Sequence, residues 1–529
     1  MSSTYLPYII LGVIAAYFLI LTGISNWVSK GSADNDTFFL ANRRAPWFLV
    51  TIGLIGASIS GVTFVSIPGK VGTTGLNQAF SYLQLVFGYV AGYIVIALVL
   101  MPVYYKMKLV SIYGYLENRF GLRTYKTGAA FFLISRTIGT AFRMFLMVLI
   151  LQQFALSPLG VPVYVTAFCC IFLVWFYTYK GGTKTILYTD VLLTFCFLGA
   201  LVMTIFSISS GLGKSISEMT SLVWNDNNLS QVFFFKGGWS DPNNFFKQFI
   251  SGALITITMT GLDQDLMQKN LACKNIGEAQ KNMFTFSGII VVVNLMFLFL
   301  GGFLYLYASR LGITAPSRSD LMYPTLAFSH LGTLSATIFV IGIVASTFSS
   351  SDSALTALTT AFCIDFLDFN KKVGKIKPSD HEYNQEKIRV AEQNMRMQQK
   401  VQRFWVHIGM SAILFVMMMV FAVINNQAII DQLFKAAGYT YGPLLGLFAF
   451  GFLTNRFVND GKAPLVCILS PLISFFIDNP KFFGFDPSSW LWGFNFGFLI
   501  LLFNGLLTFG GLWIFSKENQ DQKADASRY

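Results

Sequence analysis

Charge is scarce in this sequence. Only 12% of its 529 residues are charged and 54% are hydrophobic, against about 25% charged in an average soluble domain. That excludes a soluble globular chain and leaves a polytopic membrane protein in which the lipid bilayer is the main partner. Histidine is scarcer still. His330, His381 and His407 are the whole supply, and no metal-ligand spacing links them. The six cysteines (Cys169, Cys170, Cys196, Cys273, Cys363 and Cys467) fall in apolar runs or in segments placed on the cytoplasmic side, so no disulfide framework is expected. No phosphate-binding glycine loop is present, which argues against any nucleotide as an energy source. The net charge of +12 is spread over loops rather than gathered into a nucleic-acid-binding face. The opening MSSTYLPYIILGVIAAYFLIL lacks a basic n-region and an A-x-A cleavage site, and is expected to be a retained first span.

What is abundant is long apolar runs. Hydropathy and turn punctuation predict about thirteen spans, near 5–28, 46–67, 78–104, 127–156, 162–179, 185–209, 247–267, 283–308, 334–366, 404–425, 428–452, 463–477 and 490–515. Alternate loops carry twenty-seven and seven Lys and Arg. The positive-inside rule therefore places the N-terminus outside and the C-terminus inside. The largest cytoplasmic insert, 368–403, contains HEYNQEKIRVAEQNMRMQQK, which reads as a charged, exposed helix.

Two spans contain residues that weaken a helix. Residues 53–68 read GLIGASISGVTFVSIP, with Gly56, Ser58, Ser60 and Gly61 at mid-depth. Residues 251–268 read SGALITITMTGLDQDLMQ, with Thr256, Thr258, Thr260 and Gly261 in the middle. Irregular backbone survives in a bilayer only where it lines a cavity or packs inside protein, and matched interruptions in two halves point to a site between them. Spans two to six and seven to eleven then form two five-helix halves of inverted topology. Span nine carries Ser346, Ser349, Ser350 and Ser353 at i, i+3, i+4 and i+7, on one helical face. It also carries Asp352, and span six carries Asp190. Intramembrane carboxylates usually mark ion or proton pathways. Hydroxyls, freed carbonyls and carboxylates together suit a hard cation. Na⁺ fits, and H⁺ remains open on this chemistry alone.

An ordered set of motifs across residues 37–460 resembles the solute:sodium symporter family: FFLANRRAPW, SIYGYLENRFG, YKGGTKTILYTD, DQDLMQKNLACKNIGEAQK and DLMYP. The resemblance implies an all-α, LeuT-like fold of two inverted five-helix repeats. The expected segments are an extra N-terminal helix and link (1–45), a first repeat (46–209), an outer loop (210–246), a second repeat (247–452), two C-terminal helices (453–515) and a tail (516–529). It also implies Na⁺ as coupling ion, at a common site matching Gly56, Ile59, Ser346, Ser349 and Ser350. A second Na⁺ site found in some members would match Asp190, Ser349, Asp352 and Ser353. Asp352 departs from that pattern, where a hydroxyl residue is expected, and leaves a tighter site, proton coupling or a salt bridge open.

For the substrate, Ser58, Ser60 and Thr63 follow the first break, Tyr82 on span three should face them, and Thr256, Thr260 and Gln264 belong to the second. Sugar-transporting members of the family that the chain resembles carry aromatic residues on the second broken helix, including a gating Tyr; the ITITMTG stretch has none, so the resemblance implies a solute other than a hexose. Arg136 and Arg143 share one face of span four. Arg143 lies ~25 Å up the helix from its cytoplasmic end, too deep to snorkel. Each arginine is expected either to pair with Asp190 or Asp352 or to clamp a substrate carboxylate. Lys435 is expected to pair with Asp431 at i−4. These features predict a Na⁺-coupled, multi-pass symporter of the plasma (cytoplasmic) membrane, not an enzyme. Its substrate is a small organic solute, either carboxylate-bearing or an uncharged sugar or polyol. A transporter-like sensor would be expected to carry a kinase extension beyond Trp513, and a passive channel would not need paired helix breaks.

Overall fold

The computed structural model describes residues 5–29, 38–39, 41–179, 182–369, 383–424, 429–484, 491 and 494–517. His381, Lys30, Lys180, most of the insert's first half and the tail from 518 lie outside the described residues. The fold is helical, with one two-residue antiparallel ribbon, Phe457–Val458 against Ser516–Lys517.

Helix α1 (Leu6–Ser29) precedes the first repeat. That repeat holds the bent pair α2 (Trp47–Ser58) and α3 (Gly61–Lys70), then α4 (Tyr82–Lys106). A short α5 (Gly114–Arg119) leads into α6 (Leu122–Leu151), and α7 (Val163–Thr178) and α8 (Gly182–Leu212) complete it. The loop between the two repeats contains α9 (Ile216–Asn225), held by a Ser215/Glu218 capping box. The second repeat opens with the pair α10 (Phe245–Thr256) and α11 (Gln264–Leu271). It continues with α12 (Ile276–Arg310), the short α13 (Met322–Ser329), α14 (Gly332–Ala361), α15 (Tyr383–Ile424) and α16 (Ile429–Leu453). Helices α17 (Ala463–Asp478) and α18 (Ile500–Ile514) follow.

Among the described residues nine helices are long and apolar enough to cross a membrane, or eleven with each bent pair taken as one span. Helices α7 and α17 have 16 residues each. At 1.5 Å per residue each is ~24 Å long, short of a ~30 Å hydrocarbon core. The count of about thirteen is therefore not reached on length alone.

Both interrupted spans are bent, by 57° and 64°. The first breaks where Ile59 and Ser60 turn extended (φ −89°, ψ 93° and φ −88°, ψ 174°). The Ile59 N–H still donates to the Ile55 carbonyl, and the ladder resumes with Phe64 N–H to the Ser60 carbonyl. The carbonyls of Gly56 to Ile59 lie in the interruption between. The second pair breaks one turn later than the threonines predict. A π-turn at Ile257–Gly261 leads to Asp263, extended at φ −109°, ψ 123°. The Asp263 carboxylate caps α11 by accepting the Asp265 N–H at 2.9 Å.

The described part of the insert from Tyr383 onward is not a separate helix. From Tyr383 it runs without interruption into the span ending at Ile424, as one 42-residue helix. Its inner part is buried: His407 bridges Thr178 (3.0 Å) and Thr359 (2.8 Å), joining α15 to α7 and α14. A span start at 404 misses the continuity of the helix, because polar residues just before it, Gln399 and Arg403, are themselves buried against the protein.

Candidate functional site

Span nine, now α14, runs past the first break. Gly56 lies so close to it that a Cβ there would collide with Ser349 Oγ and sit 2.7 Å from Thr194 Oγ1. Only glycine lets the α2 backbone approach these hydroxyls this closely. The resemblance expects Ser346 to contribute its carbonyl and Ser349 and Ser350 their hydroxyls, and all three hydroxyls give their protons elsewhere. Ser349 donates to Asp190 Oδ1 (2.5 Å), Ser346 to the Ile343 carbonyl (3.1 Å) and Ser350 to the Thr347 carbonyl (3.0 Å). A hydroxyl whose proton is engaged has its lone pairs left for a cation. Of the three, Ser349 is the one the structure places beside the break, next to Gly56, where hydroxyl and freed carbonyl oxygens are of the type that suits Na⁺. Changing both Ser349 and Ser350 to Ala is expected to raise the sodium half-saturation of uptake by tenfold or more while the protein still folds. An unchanged half-saturation in sodium titrations would remove both residues from the site.

The four residues matched to a second sodium site are each engaged by protein. Asp190 Oδ2 pairs with Lys269 Nζ at 2.6 Å. Asp352 accepts from Tyr177 OH (2.8 Å) and from the Ser353 N–H (2.5 Å). The Ser353 hydroxyl donates to Asp265.

A cavity lies between the two bent pairs. Ser58, Ser60, Thr63, Tyr82, Arg136, Arg143, Thr256 and Thr260 all line it, as do Tyr89, Tyr93 and Asn294. The two further tyrosines were legible in principle. Positions 82, 89 and 93 fall on one face of α4, and Tyr82 OH is 3.0 Å from Tyr89 OH. Gln264 does not belong to the cavity. Its amide donates to the Val110 carbonyl (2.8 Å) and accepts the Ile112 N–H (3.0 Å), clamping α11 to the loop before α5. Gln264→Ala is expected to lower stability by about 1–3 kcal/mol, since it strands a buried N–H and carbonyl. Substrate affinity should be unchanged, and thermal unfolding beside a binding titration separates the two.

The arginines part company. Arg136 is ion-paired to Asp265 through Nη2, and its Nη1 lies 3.8 Å from Asp263. Tyr441 on α16 donates to the same Asp263. This network ties α6 and α16 to the start of α11, below the cavity. Pairing of either arginine with Asp190 or Asp352 is not what the structure contains, because Lys269 and Tyr177 hold those carboxylates. Arg143 is 7% exposed. Among the described residues it makes no ion pair, and its Nε has no hydrogen-bond partner. The local Lys435–Asp431 pair is also absent. Lys435 lies 2.9 Å from Asp478, and Asp431 is taken by Lys70 at 2.5 Å. A flexible i, i+4 pair gives way to partners brought close by packing. Lys70 and Lys269, counted as loop residues from sequence, end the two bent pairs and are buried.

On the opposite side of the cavity, Ser66 on α3 donates to Asp320 Oδ1 (2.5 Å), whose other oxygen accepts the Ile429 N–H of α16 (2.9 Å). The Lys70–Asp431 pair lies in the same layer. Polar contacts thus cross both ends of the cavity between the bent helices and their surroundings.

The profile of the sodium:solute symporter family matches residues 38–465. The chain is similar to a sodium/sialic acid symporter of Proteus mirabilis, 24% identical over 87% of each chain. It is also similar to a sodium/glucose cotransporter of Vibrio parahaemolyticus, 25% identical over 68% of this chain and 69% of that one. Among solved structures, a substrate-bound, outward-open Na⁺-coupled sialic acid symporter superimposes with a TM-score of 0.77 at 19% identity, covering 98% of this chain and all of the other. A nucleobase-cation-symport-1 family transporter in a closed conformation gives 0.54 at 14% identity, over 92% and 95%. These likenesses establish the fold.

Proposed function

The chain belongs to the sodium:solute symporter family, and from that premise we propose that its Na⁺-coupled cargo is a small solute bearing a carboxylate. One observation carries the reading. Arg143 presents a buried guanidinium to the cavity between the bent helices, and among the described residues it makes no direct ion pair: Asp263, the carboxylate that acts on it from a distance, is shared with Arg136 and Tyr441. A buried charge without a counter-ion is costly. A carboxylate entering the cavity supplies the missing charge and matches the planar fork of the guanidinium. The hydroxyls of Tyr82, Ser58, Ser60 and Thr260 around it suit the polar remainder of a sugar acid. The sialic acid specificity named for the Proteus relative agrees with this chemistry.

Na⁺ at Gly56, Ile59, Ser346, Ser349 and Ser350 ties the first break to α14 and favours the state that admits the solute. Each charge moved inward by the membrane potential contributes about 2.3 kcal/mol per 100 mV. The contacts around Asp320 and Lys70 form the outer closure and those around Arg136 the inner one, with the N-terminus outside and the C-terminus inside. An uncharged sugar or polyol would leave Arg143 without a direct ion pair and is the weaker reading. The test is a thermal-shift panel of the purified protein in NaCl and in choline chloride, with sialic acid and other small carboxylates set against neutral sugars and polyols. Stabilisation by a carboxylate that needs Na⁺ is expected. Na⁺-dependent stabilisation by neutral sugars alone would overturn the proposal.

A further inference from the structure

We infer that Lys269 is a tethered cation occupying the place of a second coupling ion, so that this protein binds one Na⁺ rather than two. The inference rests on the sodium-coupled reading above and concerns the number of ions. Lys269 belongs to α11 and is 2% exposed. Its Nζ lies 2.6 Å from Asp190 Oδ2 on α8 and 3.2 Å from the Gly53 carbonyl on α2. Asp190 in turn accepts the Ser349 hydroxyl of α14. A carboxylate, a carbonyl from the broken helix and a hydroxyl from span nine are the oxygens from which a second hard-cation site would be drawn. Here an ammonium, a compact point charge with three donors, takes the carboxylate and the carbonyl directly.

The other two residues are also committed. The Ser353 proton goes to Asp265, and both Asp352 oxygens accept hydrogen bonds from protein. A Na⁺ arriving at Asp190 would meet a fixed like charge that cannot diffuse away.

The tether also has a consequence for the first site. Lys269 fixes Asp190, Asp190 takes the Ser349 proton, and the Ser349 oxygen is pressed against Gly56 at the break.

Equilibrium binding of ²²Na⁺ to the purified full-length protein, with choline chloride holding ionic strength constant, tests the inference without a solute. About one Na⁺ per chain and a Hill coefficient near one are expected. Lys269→Gln should expose Asp190 and bind about two, whereas Lys269→Arg keeps the charge and should bind one. Two Na⁺ in the wild type would overturn the inference, as would one in a folded Lys269→Gln protein. If that variant does not fold, the wild-type count decides alone. No Na⁺ at all in the wild type would instead overturn the sodium-coupled reading beneath the inference.

Discussion

Arg143→Met is expected to weaken binding of a carboxylate solute by a hundredfold or more while leaving the protein as stable as the wild type, or more so. Losing one partner of a buried charge pair costs about 2–5 kcal/mol in binding, and each 1.4 kcal/mol is about tenfold. Stability should not suffer, because Arg143 has no ion pair among the described residues that its removal would break. Removing a buried charge that has no direct ion pair relieves a desolvation cost, against which stands only the more distant attraction of Asp263. Arg143→Lys retains the charge but not the fork, and about a tenfold loss is expected. A binding titration and a melting curve on the same samples separate recognition from folding. Unaltered affinity in a folded Arg143→Met protein would remove Arg143 from the site.

Arg136, seven residues away on the same helix face, should behave in the opposite way. It is neutralised by Asp265 and Asp263, which stand at the start of α11 in the second bent pair. Asp265→Ala leaves the guanidinium with only the more distant Asp263, and about 3 kcal/mol of stability should be lost, the lower end for breaking a buried pair. In the proposed orientation the same contact spans the inner end of the cavity. The variant should therefore also favour the inward-open state, read as faster cysteine labelling of a reporter placed on the cytoplasmic side of the cavity. Arg136→Met combined with Asp265→Asn removes one charge from each partner and should recover part of the stability. Equal melting temperatures for Asp265→Ala and wild type would show that the pair closes nothing.

The contrast between these arginines marks how far the sequence could be read. Their shared face followed from spacing alone. Their separate roles did not, because the carboxylates that decide them, Asp263 and Asp265, stand 127 and 129 positions from Arg136 in the chain and come close only when the second bent pair packs on α6. The two helix breaks were legible because Gly56, Gly61 and Gly261 sit where a membrane helix has no need of them. The offset of the second break was not, since it is set by Asp263 capping α11 rather than by the threonines. Lys269 and Lys70 were read as loop residues because hydropathy ends a span at the first polar cluster. In the fold both lysines stay buried by pairing with Asp190 and Asp431. Tyr89 and Tyr93 carried a periodic signal. His407 carried none, as its partners Thr178 and Thr359 lie on other helices.

The most direct test of the account is transport by the purified protein in liposomes, using the carboxylate that stabilises it in the thermal-shift panel. With high Na⁺ outside and none inside, the account predicts accumulation of that solute above its external concentration. The accumulation should collapse when the Na⁺ gradient is dissipated, and it should be absent in Arg143→Met. Accumulation that persists without a Na⁺ gradient, or that is as strong for the neutral amide of the same solute, would contradict it.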